Sequence, residues 1–262
     1  MGFIVLAYGA LSYLVFFGVF LYAIAFVGNL GVPRSIDVGP AAPFAAAVIV
    51  NLSLLALFAA QHSIMARPGF KQVWTRLVPK SIERSTYVLL SSLALALLYW
   101  QWRPLPGAVW HVESAVGRGA LQTLFWLGWL MVLAATFMIS HFDLFGLRQV
   151  WLRAKGAPYT HLPFRTTALY AFVRNPIMLG FLIAFWATPD MTLGHLLFAG
   201  ATSGYIVIGT LLEERDLVRF HGALYERYKE EVPMFVPLPG RRARETAAAA
   251  ARQAREPHEA GS

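Results

Sequence analysis

The sequence predicts an all-α fold, a polytopic membrane helix bundle of four spans with a C-terminal helical hairpin and cytoplasmic helices. Three observations predict it. Of the 262 residues, 57% are hydrophobic and only 14% charged, far from the balance of a water-soluble chain. The charge is segregated, so that long stretches carry none. Those stretches lack the alternation of barrel strands, and in hydrocarbon only helices or closed barrels satisfy every backbone group.

Residues 3–27, 44–65, 86–102 and 121–140 are the four predicted spans, each near the roughly 20 residues that cross about 30 Å of hydrocarbon as a helix. Ala23-Ile-Ala25 looks like a signal-peptide cleavage site. No Lys or Arg precedes that segment, however, and its apolar run exceeds the roughly 7–15 residues of a signal peptide, so the segment is expected to be retained. A fifth apolar region, 177–212, is broken at Thr188-Pro-Asp190 and reads as a tight helical hairpin. Its first arm, 177–187, is too short to cross unless the helix begins near Tyr170. Phe220, Tyr225 and Tyr228 suit an interfacial cytoplasmic helix. Residues 1–240 are expected to form one domain, and the Ala/Arg/Glu-rich stretch 241–262 a disordered cytoplasmic tail.

Of the 22 Lys and Arg residues, five follow the second span, five follow the fourth and nine run from Arg215 onward. Only Arg34, Arg103 and Arg118 fall on the other side. By the positive-inside rule the basic face is cytoplasmic, with both termini there, and the expected location is a bacterial inner membrane. The net charge of +8 then needs no nucleic-acid partner. Trp100, Trp102 and Trp110 fit an aromatic belt at the outer interface. The absence of cysteine excludes disulfides, thiolate metal sites and a cysteine nucleophile. The histidines do not cluster at ligand spacing, so no metal is expected, and P-loop, dinucleotide, zincin and nucleophile-elbow patterns are missing.

Several polar residues stand against this apolar background. His62 lies at the basic end of the second span, with Asn51 three helical turns earlier on nearly the same face. An ionisable group there is a functional candidate by default, though a histidine capping a helix end or bonding a neighbouring helix reads equally from the sequence. His141 and Asp143 leave the fourth span and either orient one another or a ligand, or serve packing, with Asp143 capping a short helix over 147–152. His195 falls near the outer surface and reads as structural. Arg174, Asn175 and Pro176 enter the hairpin while Glu213 and Glu214 leave it on the same side. Two adjacent acids at a membrane boundary are costly unless paired, and Arg174 is the evident partner. An Arg–Glu pair beside free helix N-terminal N–H groups makes a pocket for a zwitterionic ligand.

Tyr170-x-x-x-Arg174-x-Pro176-x-x-x-Gly180, Glu213-Glu214-x-x-Leu217, Gly222-x-x-Tyr225-x-x-Tyr228 and Val232-Pro233 together resemble the C-terminal half of the isoprenylcysteine carboxyl methyltransferase superfamily. Over nearly all of residues 1–240 the chain resembles bacterial methanethiol S-methyltransferases, which are similar to NnrU-like proteins. That closer likeness rests on Gln61-His-Ser-Ile-Met-Ala-Arg67, Ile82-Glu-Arg-Ser-Thr-Tyr87, His141-Phe-Asp-Leu-Phe-Gly-Leu-Arg148, Phe185-Trp-Ala-Thr-Pro189 and Gly194-His-Leu-Leu-Phe198. The wider superfamily usually has His at the position of Asn175 and Tyr at that of Met178. The resemblance implies S-adenosylmethionine as cofactor, held by His161, Leu162, Phe164, Arg165, Tyr170, Asn175, Pro176, Ile177, Met178, Glu213 and Glu214. It also implies a small thiol acceptor, methanethiol, with dimethyl sulfide as product.

The expected chemistry is in-line displacement at the sulfonium methyl. Because the thiolate is the nucleophile, His62 is the expected base, titrating in the right range, and Arg174 the expected electrostatic contributor. Two other readings remain open at this point. One is methyl transfer to a lipid-like or isoprenoid acceptor. The other is a non-enzymatic accessory or permease protein, which would bind no cofactor.

Overall fold

The computed structural model describes residues 2–160, 162, 166 and 168–236. Five helices are long and apolar enough to cross a membrane: α1 (Gly2–Gly28), α2 (Phe44–Ala66), α4 (Lys80–Gln101), α5 (Ala115–Ile139) and α9 (Leu193–His221). α3 (Pro68–Trp74), α6 (His141–Leu144), α7 (Leu147–Ala154) and α10 (Ala223–Glu231) are short and gather at the basic end. The predicted helix bundle is therefore present. α4 starts at Lys80 and α5 at Ala115, six residues before the predicted 86 and 121, because helix continues past the apolar stretch into charged residues. Arg84, in the added turn, is tied by Nε to the carbonyl of Leu144 at 3.0 Å.

The core lies toward the end opposite the basic one, where Phe26, Tyr99, Trp102, Phe198, Phe185 and Trp129 pack together. Aromatic contacts run through it, such as Phe26 on Tyr99 at 4.8 Å between ring centroids. Trp102 corrects the expected aromatic belt. It is buried and donates Nε1–H to the carbonyl of Ile36 at 3.0 Å, whereas Trp100 is exposed. Two short strands were not foreseen: β1 (Ala108–His111) and β2 (Asp190–Thr192) pair antiparallel at this end, with Trp110 opposite Met191. Arg118 clasps Asp190 with both carboxylate oxygens bonded, at 3.0 and 2.7 Å.

The region entering the hairpin differs from the expectation. α8 (Pro176–Trp186) does not extend back to Tyr170, which sits in a 3-10 turn, Ala168–Ala171. Pro176 explains the break: it suits the first helical position but disfavours helical backbone in the residue before it. Eleven residues of helix rise only about 16 Å, half the hydrocarbon layer, and 187–189 lead on without helix into β2. α8 packs chiefly on α5 rather than tightly on α9. Glycines permit this approach, since a Cβ on Gly180 would meet the carbonyl oxygen of Gly128 at 2.7 Å, and the reverse holds too. The helix expected over 147–152 is α7, but Asp143 does not cap it. Gly146 does, at φ +87°, where a Cβ would also lie 2.7 Å from Ser85 Oγ. The tail 241–262 lies outside the described residues.

Candidate functional site

The two ends of the α8–α9 unit meet at the basic end through a buried charge pair. Arg174 donates Nε–H to Glu214 Oε1 at 2.7 Å and Nη2–H to Oε2 at 3.3 Å, with the side chains 8% and 3% exposed. Arg174 Nη1 donates onward to the carbonyls of Lys229 and Val232. Asn175 Nδ2 lies 3.4 Å from Glu214 Oε1, and Lys229 Nζ lies 3.6 Å from Oε2. Backbone bonds extend the strap: the N–H groups of Arg174 and Asn175 donate to the carbonyls of Pro233 and Met234. Tyr228 donates its hydroxyl to the carbonyl of Tyr170 at 2.6 Å. Burial pushes the Tyr228 hydroxyl up to about 12 and raises that of Tyr170, so both remain donors at neutral pH.

The sequence offered Arg174 as partner to the two adjacent acids, and the structure pairs it with Glu214. Its geometry separates the two acids. Both oxygens of Glu214 are taken by Arg174, Asn175 and Lys229, while the adjacent Glu213 is exposed. Glu213 interacts electrostatically with Arg84 and Arg67, with Tyr170 and Tyr225, and with Tyr87 and Tyr205. One carboxylate is therefore within electrostatic reach of two clusters.

The second cluster surrounds His62, where α2, α4 and α9 converge. The Tyr87 hydroxyl lies 2.8 Å from His62 Nε2 and 3.1 Å from Nδ1, and Ser91 Oγ lies 3.3 Å from Nδ1. Phe58 stacks on the imidazole at 5.2 Å, and Tyr205, bonded to Ser63 at 3.1 Å, stands edge-on at 6.5 Å. Arg84 lies over the Tyr87 ring at 5.7 Å. Tyr87, Ser91, Arg84 and Tyr205 escaped the sequence reading. A signal existed, since positions 84, 87 and 91 fall at i, i+3 and i+7 on one helical face. A cleft of about 220 Å³ between α2 and α9, lined by Leu52, Leu55, Ala56 and Ala201, ends against Phe58 and Tyr205. A larger cavity of about 420 Å³ lies at the opposite end beside Arg118 and Asp190, away from both clusters.

Other candidates fall elsewhere. Asn51 shares a face with His62 but not its depth: it bonds both backbone polar groups of Arg103 at the far end, at 2.7 and 2.9 Å. His141 is not oriented by Asp143. Its ring nitrogens engage Tyr13 and Thr136, each at 2.8 Å, and burial lowers its proton affinity. Asp143 instead accepts from Arg148 and Tyr159. His195 is buried, with Nε2 on the carbonyl of Phe185 at 2.9 Å. Pro176, Ile177 and Met178 form the first turn of α8, and Leu162 is exposed. His161, Phe164 and Arg165 lie outside the described residues. Among the described residues, no group of three or more His, Asp or Glu could hold a metal ion.

Residues 51–221 match the model of the family described as NnrU protein. The chain belongs to that family. A methanethiol S-methyltransferase of Mycobacterium tuberculosis is 59% identical over 239 residues, covering 91% of this chain and 98% of the relative. Methanethiol S-methyltransferase 2 of Bradyrhizobium diazoefficiens is 54% identical over 233 residues, covering 89% of this chain and 90% of the relative. More distantly, nurim of Xenopus laevis is 28% identical over 193 residues, covering 71% and 67% of the two chains. No solved structure matches. The family match takes in most of α2 and all of α4, α5, α8 and α9, and thus His62, Tyr87, Arg174 and both acids.

Proposed function

We propose that the protein transfers the methyl group of S-adenosylmethionine to methanethiol, releasing dimethyl sulfide, at the cytoplasmic face of a bacterial inner membrane. The observation that carries this reading is the convergence of a polar, charged clamp and an apolar cleft upon one end of the bundle, in a chain so similar to methanethiol S-methyltransferases. The charge distribution supports the cytoplasmic orientation.

The residues present fit a zwitterionic, cationic donor. Glu213 offers an exposed carboxylate to an ammonium group. The first turn of α8 has no side-chain cap, so the N–H groups of Ile177 and Met178 are available to a carboxylate. Tyr170, Asn175 and the strap at 229–234 would enclose the ligand, and Arg174 and Glu214 hold that strap in place. When bound, the cofactor supplies an electrophilic methyl group on a sulfonium. His62 accepts the proton of the thiol, and Phe58 and Tyr205 keep the acceptor end of the cleft apolar. Positioning contributes much of the rate, because a substrate with so few atoms offers at most about 1.5 kcal/mol of binding per heavy atom.

Two measurements on purified protein test the reading. Calorimetric titration with S-adenosylhomocysteine should show saturable binding. Headspace analysis after adding methanethiol and S-adenosylmethionine should show dimethyl sulfide. Binding without product would reject the acceptor, and absence of binding would reject the enzyme.

A further inference from the structure

The Tyr87 hydroxyl makes the shortest hydrogen bond to the His62 imidazole. It lies 2.8 Å from His62 Nε2 and 3.1 Å from Nδ1, and Ser91 Oγ lies 3.3 Å from Nδ1. A neutral imidazole has one donor and one acceptor nitrogen. The Tyr87 hydroxyl is within hydrogen-bond distance of both ring nitrogens and can donate to whichever carries the lone pair. The imidazole faces are closed by Phe58 on one side and approached edge-on by Tyr205. A phenolic oxygen, by contrast, keeps acceptor capacity while it donates.

We propose that Tyr87 relays the acceptor proton to His62, an inference that rests on the thiol-methylation reading above. The thiol S–H bond breaks and its proton joins the Tyr87 oxygen as the original Tyr87 proton passes to His62 Nε2. Tyr87 ends neutral, His62 ends as an imidazolium, and the electron pair stays on sulfur. That pair then forms the new S–CH3 bond, and the pair of the broken sulfonium C–S bond remains on the donor sulfur. Arg84, over the Tyr87 ring, favours electron density on the phenolic oxygen during the transfer. The groups that face this pair are Glu83, Arg84 and Ser91 from α4, Tyr205 and Glu213 from α9, and Phe58 from the same helix as His62.

The decisive experiment is a proton inventory on the wild-type protein: single-turnover rates with methanethiol in mixtures of water and deuterium oxide at saturating cofactor. A relay moves two protons together and gives a curved dependence on deuterium fraction. A linear dependence means that His62 takes the proton directly and overturns the proposal. Tyr87→Phe supplies a second arm. It should lower turnover as far as His62→Gln does, on the order of a hundredfold or more, with unchanged affinity for S-adenosylhomocysteine. The double variant should be no slower than either single one, and high pH should partly restore both because the thiolate then arrives preformed. Near-normal turnover in a Tyr87→Phe protein that binds the cofactor product would overturn the relay. If that variant does not fold, the inventory decides alone. Failure of the functional reading is distinct, because wild-type protein would then yield no sulfide at all.

Discussion

Glu213 and Glu214 are neighbours in sequence with different physical circumstances. Glu214 neutralises Arg174 at 3% exposure, so Glu214→Gln leaves a buried guanidinium without its counter-charge. Breaking such a pair costs about 3–5 kcal/mol, and a lowered thermal unfolding midpoint in detergent should reveal it. Glu213→Gln should leave the midpoint nearly unchanged and instead weaken S-adenosylhomocysteine about tenfold or more, the worth of one charge-assisted hydrogen bond. The reverse assignment of effects would show that Glu214 is the ligand-binding acid. At the opposite end, the Arg118 guanidinium holds the Asp190 carboxyl below its ordinary value, helped by His111. A depressed carboxyl contributes stability that is present above about pH 4 and lost as pH falls through the folded value. The unfolding midpoints of wild type and Asp190→Asn should therefore differ at neutral pH and converge below about pH 4. A gap that persists in acid would contradict that linkage.

At the scale of elements, the α5–α8 contact decides whether the clamp has a base to stand on. A methyl group on Gly180 would press within 2.7 Å of the Gly128 carbonyl oxygen and within 2.9 Å of Val132 N, both backbone atoms that cannot rotate away. Gly180→Ala should destabilise the protein by about 1–3 kcal/mol and shift Arg174 relative to Glu214. Gly200→Ala, on α9 where nothing lies within 4 Å, is the matched control and should be neutral or mildly stabilising. Equal unfolding midpoints for the two variants would mean that the helices separate at no cost. The loose pairing of α8 with α9 has the same origin. α8 turns its close-packing glycine face to α5, and Asn175 and Glu214 meet beside the strap.

For the whole molecule, the charge asymmetry leads to a topology that reporter fusions can read. Fusions after Arg242 should report the cytoplasm, and fusions near Val109, beside the outer strands, should report the opposite side. A cytoplasmic signal at Val109 would invert the bundle. The sequence by itself determined the helix bundle, the four long spans with a shorter arm after them, and the pairing of Arg174 with one of two adjacent acids. Each follows from a local or near-compulsory rule: apolar length, the helix-breaking proline, and the cost of a lone charge beside hydrocarbon. Asn51 was misread because helical spacing gives a shared face but says nothing of depth. Trp102 was misread because amphipathic rings suit both an interface and a core. Tyr87, Ser91 and Tyr205 were missed because neutral hydroxyls on spanning helices carry no penalty that marks them. Only the tertiary structure decided that these hydroxyls meet at His62, that α8 leans on α5, and that Glu213 rather than Glu214 is left open. Those outcomes depend on how separate helices rotate and slide against one another, which packing fixes and no single stretch of sequence contains.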